Sequence, residues 1–413
     1  MKAIVVGAGI TGVSSAIWLQ RSGCEVTLID RIEPGDPGQT SFGNAGLLAR
    51  CAVIPVATPG LLRKIPKMLF DPMQPLFLRW RYLPKLLPWV IPFLKNGEDA
   101  KMRAIAASIN DLTFDTVEQH RALAQGTAAA QYLREGPYTY IYPDKAGFDA
   151  DESFHQLRSR LGSRTQARDR AYLAEKDPQL SENYQYGMEF LDHGWITNPG
   201  AYVAALFRHF TEEGGTFIKT EVADIAASGE GGAVTLIDGT AIEGDKIVLA
   251  AGIWSRKLAE RFGHKVNMES ERGYHLMLRG TNFTPPQPYM ITDGKFAVTP
   301  MADGIRFAGI VEFGGTDAPP SEKPFKLLEA FIKRVYPDLE YAKAERWMGH
   351  RPSTSDSLPL LGASPKAPGI IFAFGSQHIG LTIGPRLGRI VADIATGMEM
   401  NADLSACRVD RFD

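Results

Sequence analysis

The stretch Lys2 to Asp30, KAIVVGAGITGVSSAIWLQRSGCEVTLID, leaves few choices of fold. Ala3 to Val6 is a short apolar, β-branched run, long enough for one buried strand. Gly7, Gly9 and Gly12 follow as G-x-G-x-x-G. Val13, Ala16, Ile17, Leu19 and Gln20 then recur at helical spacing, Gly23 stops the helix, and Cys24 to Ile29 makes a second strand closing on Asp30. Each glycine has a physical task. Gly7 permits the tight strand-to-helix turn, Gly9 lets a pyrophosphate approach the backbone, and Gly12 lets the helix lie close on the sheet. The free N–H groups and partial positive charge of the helix N-terminus suit phosphates. Asp30 is placed to accept hydrogen bonds from a ribose. Strand, glycines, helix, second strand and acid occur in order within one βαβ unit, which is the context the motif needs to mean dinucleotide binding.

The whole chain narrows the function classes. With Lys+Arg 45 against Asp+Glu 47 over 413 residues, it lacks the basic excess of a nucleic-acid binder. Its length can hold two domains or one composite one. Cys24, Cys51 and Cys407 have neither metal-ligand spacing nor a disulfide framework, so no metal is expected and a reducing compartment fits. The first strand starts at Lys2, which leaves no room for a cleavable signal peptide, and no apolar run reaches about 18 residues. A cytoplasmic location is expected.

Along the chain, Gln39 to Gly46 (QTSFGNAG) is a run of small residues after the nucleotide-binding strand. It can pass beneath a ring system or serve as a surface loop. Residues 54–96 are basic, aromatic and broken by Pro55, Pro59, Pro66, Pro72, Pro75, Pro84, Pro88 and Pro92. They suit a peripheral contact with an anionic membrane on its cytoplasmic face, a lid, or an oligomer contact. Residues 97–134 and 151–180 read as helical. Between them, Gly136 to Tyr142 reads as a strand whose Tyr138, Tyr140 and Tyr142 line a pocket or form a buried ladder. Asn198 and Pro199 fit an N-cap and first helical position. Thr216 to Ile225, Ala233 to Ile237, Thr240 to Ile242 and Asp245 to Gly252 read as strands, the last returning to the first sheet. Residues 263–345 are mostly strands of an antiparallel sheet, with an amphipathic helix from Phe325 to Val335. Ile370 to Phe374, Gly375 and a helix from about Thr382 repeat the strand, turn, helix N-terminus pattern. No second complete G-x-G-x-x-G occurs, so one tightly held dinucleotide is expected, with electrons leaving to an external acceptor.

The GAGITG unit with Asp30, the QTSFGNAG loop, IVLAAG followed by Ile253-Trp254-Ser255, GHRPSTSDSLPLLG and FGSQHIGLTIGP together resemble the D-amino-acid oxidase superfamily of flavoproteins. Within it they are similar to D-amino-acid dehydrogenases, including D-hydroxyproline dehydrogenase-like members. The resemblance spans nearly the whole chain, and its C-terminal pair of motifs is the most specific part. It implies an α/β fold: a Rossmann-like FAD-binding domain (1–60, 195–262 and 346–413) and a discontinuous antiparallel-sheet substrate domain (61–194 and 263–345). It implies non-covalent FAD. Gly7, Gly9, Ile10, Thr11 and Gly12 would cradle the pyrophosphate, and Asp30 would take the ribose. Thr40, Ser41, Asn44, Ala45, Gly46 and Leu47 would lie beneath the isoalloxazine, and Val222 would meet the adenine. Gly252 and Trp254 would make a second FAD contact. Gly375, His378, Gly380, Leu381 and Thr382 would surround the flavin's O2/N1 end.

The resemblance further implies that Arg351 of the G-x-R-P motif holds a substrate carboxylate, a task for which the guanidinium fork is suited. The alternative is a structural pair with Asp356. Tyr274, His275 and His350 occupy matching segments, where each can bond the amine or simply pack. The implied reaction is oxidation of a D-amino acid or cyclic imino acid such as D-proline or D-hydroxyproline, hydride passing from Cα to flavin N5 and electrons then to a quinone or carrier. Competing readings are an oxygen-using oxidase of the glycine or sarcosine type, and one subunit of a heteromeric dehydrogenase. Ser376-Gln377-His378 departs from the Gly-His-Gly of simple relatives, which leaves the acceptor and the amine size open. Oligomeric state is not legible.

Overall fold

The computed structural model describes residues 1–71, 75–400 and 402–413, so Pro72 lies outside the described residues. Lys2–Val6, Ile10–Arg21 and Glu25–Asp30 form the expected strand, helix and strand. They open a six-stranded sheet in which Thr216–Lys219, Glu25–Asp30, Lys2–Val6, Lys246–Leu249 and Ala367–Phe374 run parallel, and Leu360–Ser364 closes one edge antiparallel. The nucleotide-type sheet is therefore assembled from three distant parts of the chain.

Two helices cover one face of this sheet, Ile10–Arg21 and Gly380–Thr396. They cross almost backbone to backbone. A Cβ on Gly388 would stand 2.6 Å from the carbonyl carbon of Ser14, and one on Gly384 would stand 2.9 Å from Ile10. Small residues at the crossing set this distance and bring both helix N-termini to the same edge of the sheet. Ile17, Leu19, Val203, Leu206, Ile383, Leu387 and Val391 form the core between them. The helix Pro199–Glu212 starts at Asn198, whose side chain accepts from the Ala201 amide at 3.1 Å, so the N-cap reading holds.

A nine-stranded sheet lies beyond it. The long strands Met268–Arg279 and Lys343–Thr354 pair antiparallel over their full length, followed by Gly304–Phe313, Phe296–Met301, Tyr289–Ile291, Tyr138–Tyr142, Tyr186–Phe190 and Thr165–Asp169. Lys343–Thr354 runs across position 346, where the sequence reading changed domain. The sheet is not purely antiparallel, because Tyr289–Ile291 pairs parallel with Thr139–Ile141 and Leu76–Leu78 pairs parallel with Val311–Phe313. The helix Glu322–Val335 packs Phe325, Leu328 and Phe331 on one face.

Residues 151–180 are not all helical. The strand Thr165–Asp169 interrupts them, joined to Tyr186–Phe190 and fixed by an Arg168–Glu189 ion pair. Tyr138 and Tyr142 are buried, and Tyr138 meets Tyr140 edge to face at 5.3 Å, a packed ladder. The proline-rich stretch forms the helices Leu61–Phe70 and Leu83–Lys95. Buried Trp89 donates its indole N–H to the Ser353 carbonyl at 2.8 Å, and Asn96 donates to the Ser355 carbonyl at 3.0 Å. The second helix is thereby seated on the strand that carries Arg351.

Candidate active site

At the edge where the two helix N-termini meet, a cavity of about 430 Å³ runs along the C-terminal ends of the parallel strands. Gly7, Gly9, Ile10, Thr11 and Asp30 line it. Gly7 has φ +100°, and a Cβ there would sit 2.6 Å from the Ala250 carbonyl. Gly12 lies beneath, where a Cβ would stand 1.7 Å from the Gly7 carbonyl. Side chains at either position would force the turn open. Asp30 ties the second strand to this turn by accepting from the Ala8 amide at 2.6 Å. The Ile10 amide, at the helix N-terminus, donates to the Ser41 hydroxyl at 3.0 Å, so a polar oxygen already satisfies a donor of the kind that faces phosphate.

Thr40, Ser41 and Asn44 line the cavity from the small-residue loop, which is therefore not a free surface loop. Thr40 donates to the His350 carbonyl at 2.8 Å, and Arg306, buried in the nine-stranded sheet, donates to the carbonyls of Phe42 and Asn44. Ala45, Gly46 and Leu47 are not among the residues that line the cavity; the Gly46 carbonyl accepts from the Ile196 amide at 2.7 Å, and Leu47 pairs with Trp195. Val222, Gly252 and Trp254 line the other end. Gly375, Gly380 and Leu381 close the wall beside the second helix. Thr382 and His378 are not on that wall. The Thr382 hydroxyl donates to the Leu47 carbonyl at 3.0 Å, and His378 is exposed, with its carbonyl facing Asn44.

Sequence reasoning missed several lining residues. Arg31, the residue after Asp30, stacks its guanidinium 4.2 Å over the Trp254 ring. Gln39 donates to the Ala8 carbonyl at 3.0 Å, and Gln377 adopts φ +48° while its amide donates to the Pro352 carbonyl at 3.1 Å. Gln39 and Gln377 stand inside motifs read from the sequence without a contact assigned to them, and Arg31 was signalled only by its neighbour Asp30.

Arg351 stands beside Pro352, on the face of the nine-stranded sheet that meets the small-residue loop. Its guanidinium lies over Gly273, where a Cβ would be 2.6 Å from Nε. It is half-buried and has no hydrogen bond or ion pair among the described residues. Asp356 pairs instead with Arg411, at 2.6 and 3.1 Å, which removes the structural pair the sequence left open. Burial pulls the Arg351 guanidinium below its ordinary value, and the Glu271 carboxylate opposes that.

His275 lies on the same face. Its Nδ1–H donates to the Gly43 carbonyl at 3.0 Å, which leaves Nε2 as the lone pair. Burial and the charges of Arg306 and Arg351 push this imidazole well below its ordinary value, so it is neutral. Trp347 stacks on it at 5.0 Å and donates to the Pro37 carbonyl at 2.7 Å. The indole lies on Gly43 and Gly349, where a Cβ would be 2.1 Å from the ring. Tyr274 turns the other way: its hydroxyl donates to Glu312 at 2.6 Å and accepts from the Ser321 amide at 3.0 Å. His350 also faces away from Arg351, with Nδ1 2.9 Å from the Ser270 hydroxyl and its ring edge toward Trp254.

The FAD dependent oxidoreductase family designated DAO matches residues 2–394. The D-amino-acid oxidase of Bradyrhizobium diazoefficiens is 34% identical over 413 residues, covering 99% of this chain and 98% of that protein. A D-amino acid dehydrogenase of Paramagnetospirillum magneticum is 30% identical over 425 residues, covering 100% and 99%. Glycine oxidase from Geobacillus kaustophilus has the same fold, with TM-score 0.74 at 20% identity over 99% of this chain and 98% of that one. The cleft fits the cofactor this family uses: glycines that tolerate no Cβ, a helix N-terminus aimed at the turn, an acid at the second strand and an aromatic at the far end. On sequence, coverage and site geometry, this chain belongs to the DAO family of FAD-dependent oxidoreductases.

Proposed function

We propose that this enzyme oxidises the C–N bond of a D-amino acid or a cyclic imino acid such as D-proline or D-hydroxyproline. The observation that carries the reading is the Arg351 guanidinium, without a hydrogen bond or ion pair among the described residues, beside the cleft. A partly buried guanidinium that makes no hydrogen bond is costly, and a substrate carboxylate held bidentately satisfies it. Bound FAD supplies the two-electron acceptor for this chemistry. Arg351 orients the substrate by one end, and the neutral His275 offers Nε2 as an acceptor for an amine N–H or a ring hydroxyl. Trp347, held on two glycines, limits water and side-chain bulk at the same face. Tyr274 and His350 serve this reading as supports, bracing the strand and the loop.

Anaerobic mixing with D-proline, D-hydroxyproline, D-alanine, their L-forms and sarcosine tests it. The flavin band should bleach with a D-substrate, and Arg351→Ala should lower kcat/KM by roughly 10²-fold or more, as loss of a buried charge partner does. Bleaching by none of them would remove the substrate class. The acceptor proposed from the sequence is a quinone or carrier. The oxidase named among the relatives favours oxygen as the second reading, and peroxide release during turnover separates the two.

No helix among the described residues is long and apolar enough to cross a membrane. Exposed Leu62, Leu87 and Ile91 on the two proline-rich helices support a peripheral contact through 54–96. Cosedimentation with anionic vesicles, lost in Leu87→Ser/Ile91→Ser, tests that contact; no cosedimentation at low salt would end it.

A further inference from the structure

Glu271, Gly273 and His275 alternate along one face of the strand Met268–Arg279, and Arg351 lies directly across from Glu271 in the register. The guanidinium lies over Gly273, between the two flanking side chains. Opposite charges side by side where water is partly excluded gain by closing on each other. Here they form no ion pair. Glu271 turns one oxygen to the Ser353 hydroxyl at 2.7 Å. Its other oxygen has no partner among the described residues, yet keeps accessible surface. Glu271 as a whole residue is only 5% exposed, and the Ser353 hydroxyl is the one hydrogen-bond donor its carboxyl group meets among the described residues.

The neighbouring acids are committed. Glu269 accepts from the Tyr82 hydroxyl at 3.0 Å and from the Ser270 amide at 2.7 Å. Glu312 is held by Arg272, Arg79 and Tyr274 on the opposite face. His275 is neutral and offers a lone pair, not a charge. A guanidinium with no hydrogen bond and a carboxyl group with one open oxygen therefore stand side by side, with no ion pair between them, on the face that meets the small-residue loop. A ligand that satisfies both carries a carboxylate and an ammonium close together, as an amino acid does.

We propose that Glu271 is the specificity-determining group for the substrate's ammonium, so that this site selects zwitterions over plain carboxylates. The assignment rests on the amino-acid reading above and adds the group that reads the nitrogen. Arg351 takes the carboxylate, Glu271 takes the ammonium, and the substituent on the shared carbon is directed away from both.

Two unreactive ligands test it on the FAD-loaded protein. 2-Aminoisobutyrate is a zwitterion with no hydrogen on its α-carbon and is not turned over; isobutyrate has the same skeleton without nitrogen. Binding is read by perturbation of the flavin absorbance and by calorimetry. Wild type should prefer 2-aminoisobutyrate by roughly 10-fold or more, the range of a charge-assisted hydrogen bond. Glu271→Gln should abolish that preference while isobutyrate binds as well or better, and Arg351→Ala should weaken both ligands. Glu271→Asp keeps the charge, one methylene back, and should give a reduced preference; it carries the test where the Gln variant loses FAD. An unchanged ratio of affinities in the variants overturns the Glu271 assignment alone. If wild type binds neither ligand, the amino-acid reading falls and this inference falls with it.

Discussion

Gly273 decides where Arg351 can hold its charge. The position has ordinary strand backbone, so alanine is tolerated locally, but the new Cβ would stand 2.6–2.7 Å from the guanidinium. The atoms it meets are the far end of a flexible side chain, which shifts at little cost to the fold. Gly273→Ala should therefore raise KM about 10-fold or more, with FAD content and Tm near wild type; an unchanged KM would detach Gly273 from the site. Gly12 is the opposite case, since a Cβ there meets backbone at 1.7 Å. The glycines of the first turn were legible in the sequence because their constraint is local. Gly273 and Gly43 were not, because the side chains they make room for, Arg351 and Trp347, come from elsewhere in the chain.

At the scale of elements, His120 joins three helices. From Thr116–Ala124 it reaches the Tyr202 hydroxyl on Pro199–Glu212 at 2.9 Å and the Leu381 carbonyl at 2.8 Å. The carbonyl can only accept, so Nε2 carries the proton and Nδ1 accepts from Tyr202. This satisfied neutral imidazole holds the first turn of Gly380–Thr396 at the cleft. Burial pushes its pKa down to about 4 from an ordinary 6.5. The unfolded chain thus binds the proton more readily, so stability falls as pH drops from about 6.5 toward 4. The contribution is on the order of 3 kcal/mol. His155, also lowered to about 4, acts with the same sign. Wild-type Tm should fall over this window more steeply than that of His120→Gln; equal slopes would show that His120 does not govern it. The helices were legible from their apolar periodicity and the Asn198 cap. The strand Thr165–Asp169 was not, because its charged sequence pairs only in the company of Tyr186–Phe190.

Across the whole molecule, the two sheets meet at the cofactor cleft. The six-stranded sheet supplies the Gly7 turn and Ala250, and the nine-stranded sheet supplies Pro352, beside Arg351. Binding FAD stabilises the native arrangement of both. Adding FAD to the apoprotein at about 100 times Kd should contribute about 2.7 kcal/mol and raise Tm by several degrees. No rise would mean that FAD does not select the folded cleft.

The sequence by itself determined the βαβ unit, its glycines and acid, the second strand-to-helix turn and the family they belong to. These depend on backbone conformation and periodicity, which neighbours in the chain impose. Only the tertiary structure decided that Asp356 pairs with Arg411, that Tyr274 faces Glu312, and that Glu271 and Arg351 stand unpaired across one register. Those partnerships depend on which strands lie side by side and in what register. That is set by packing the whole chain around its cores, so no local pattern encodes it.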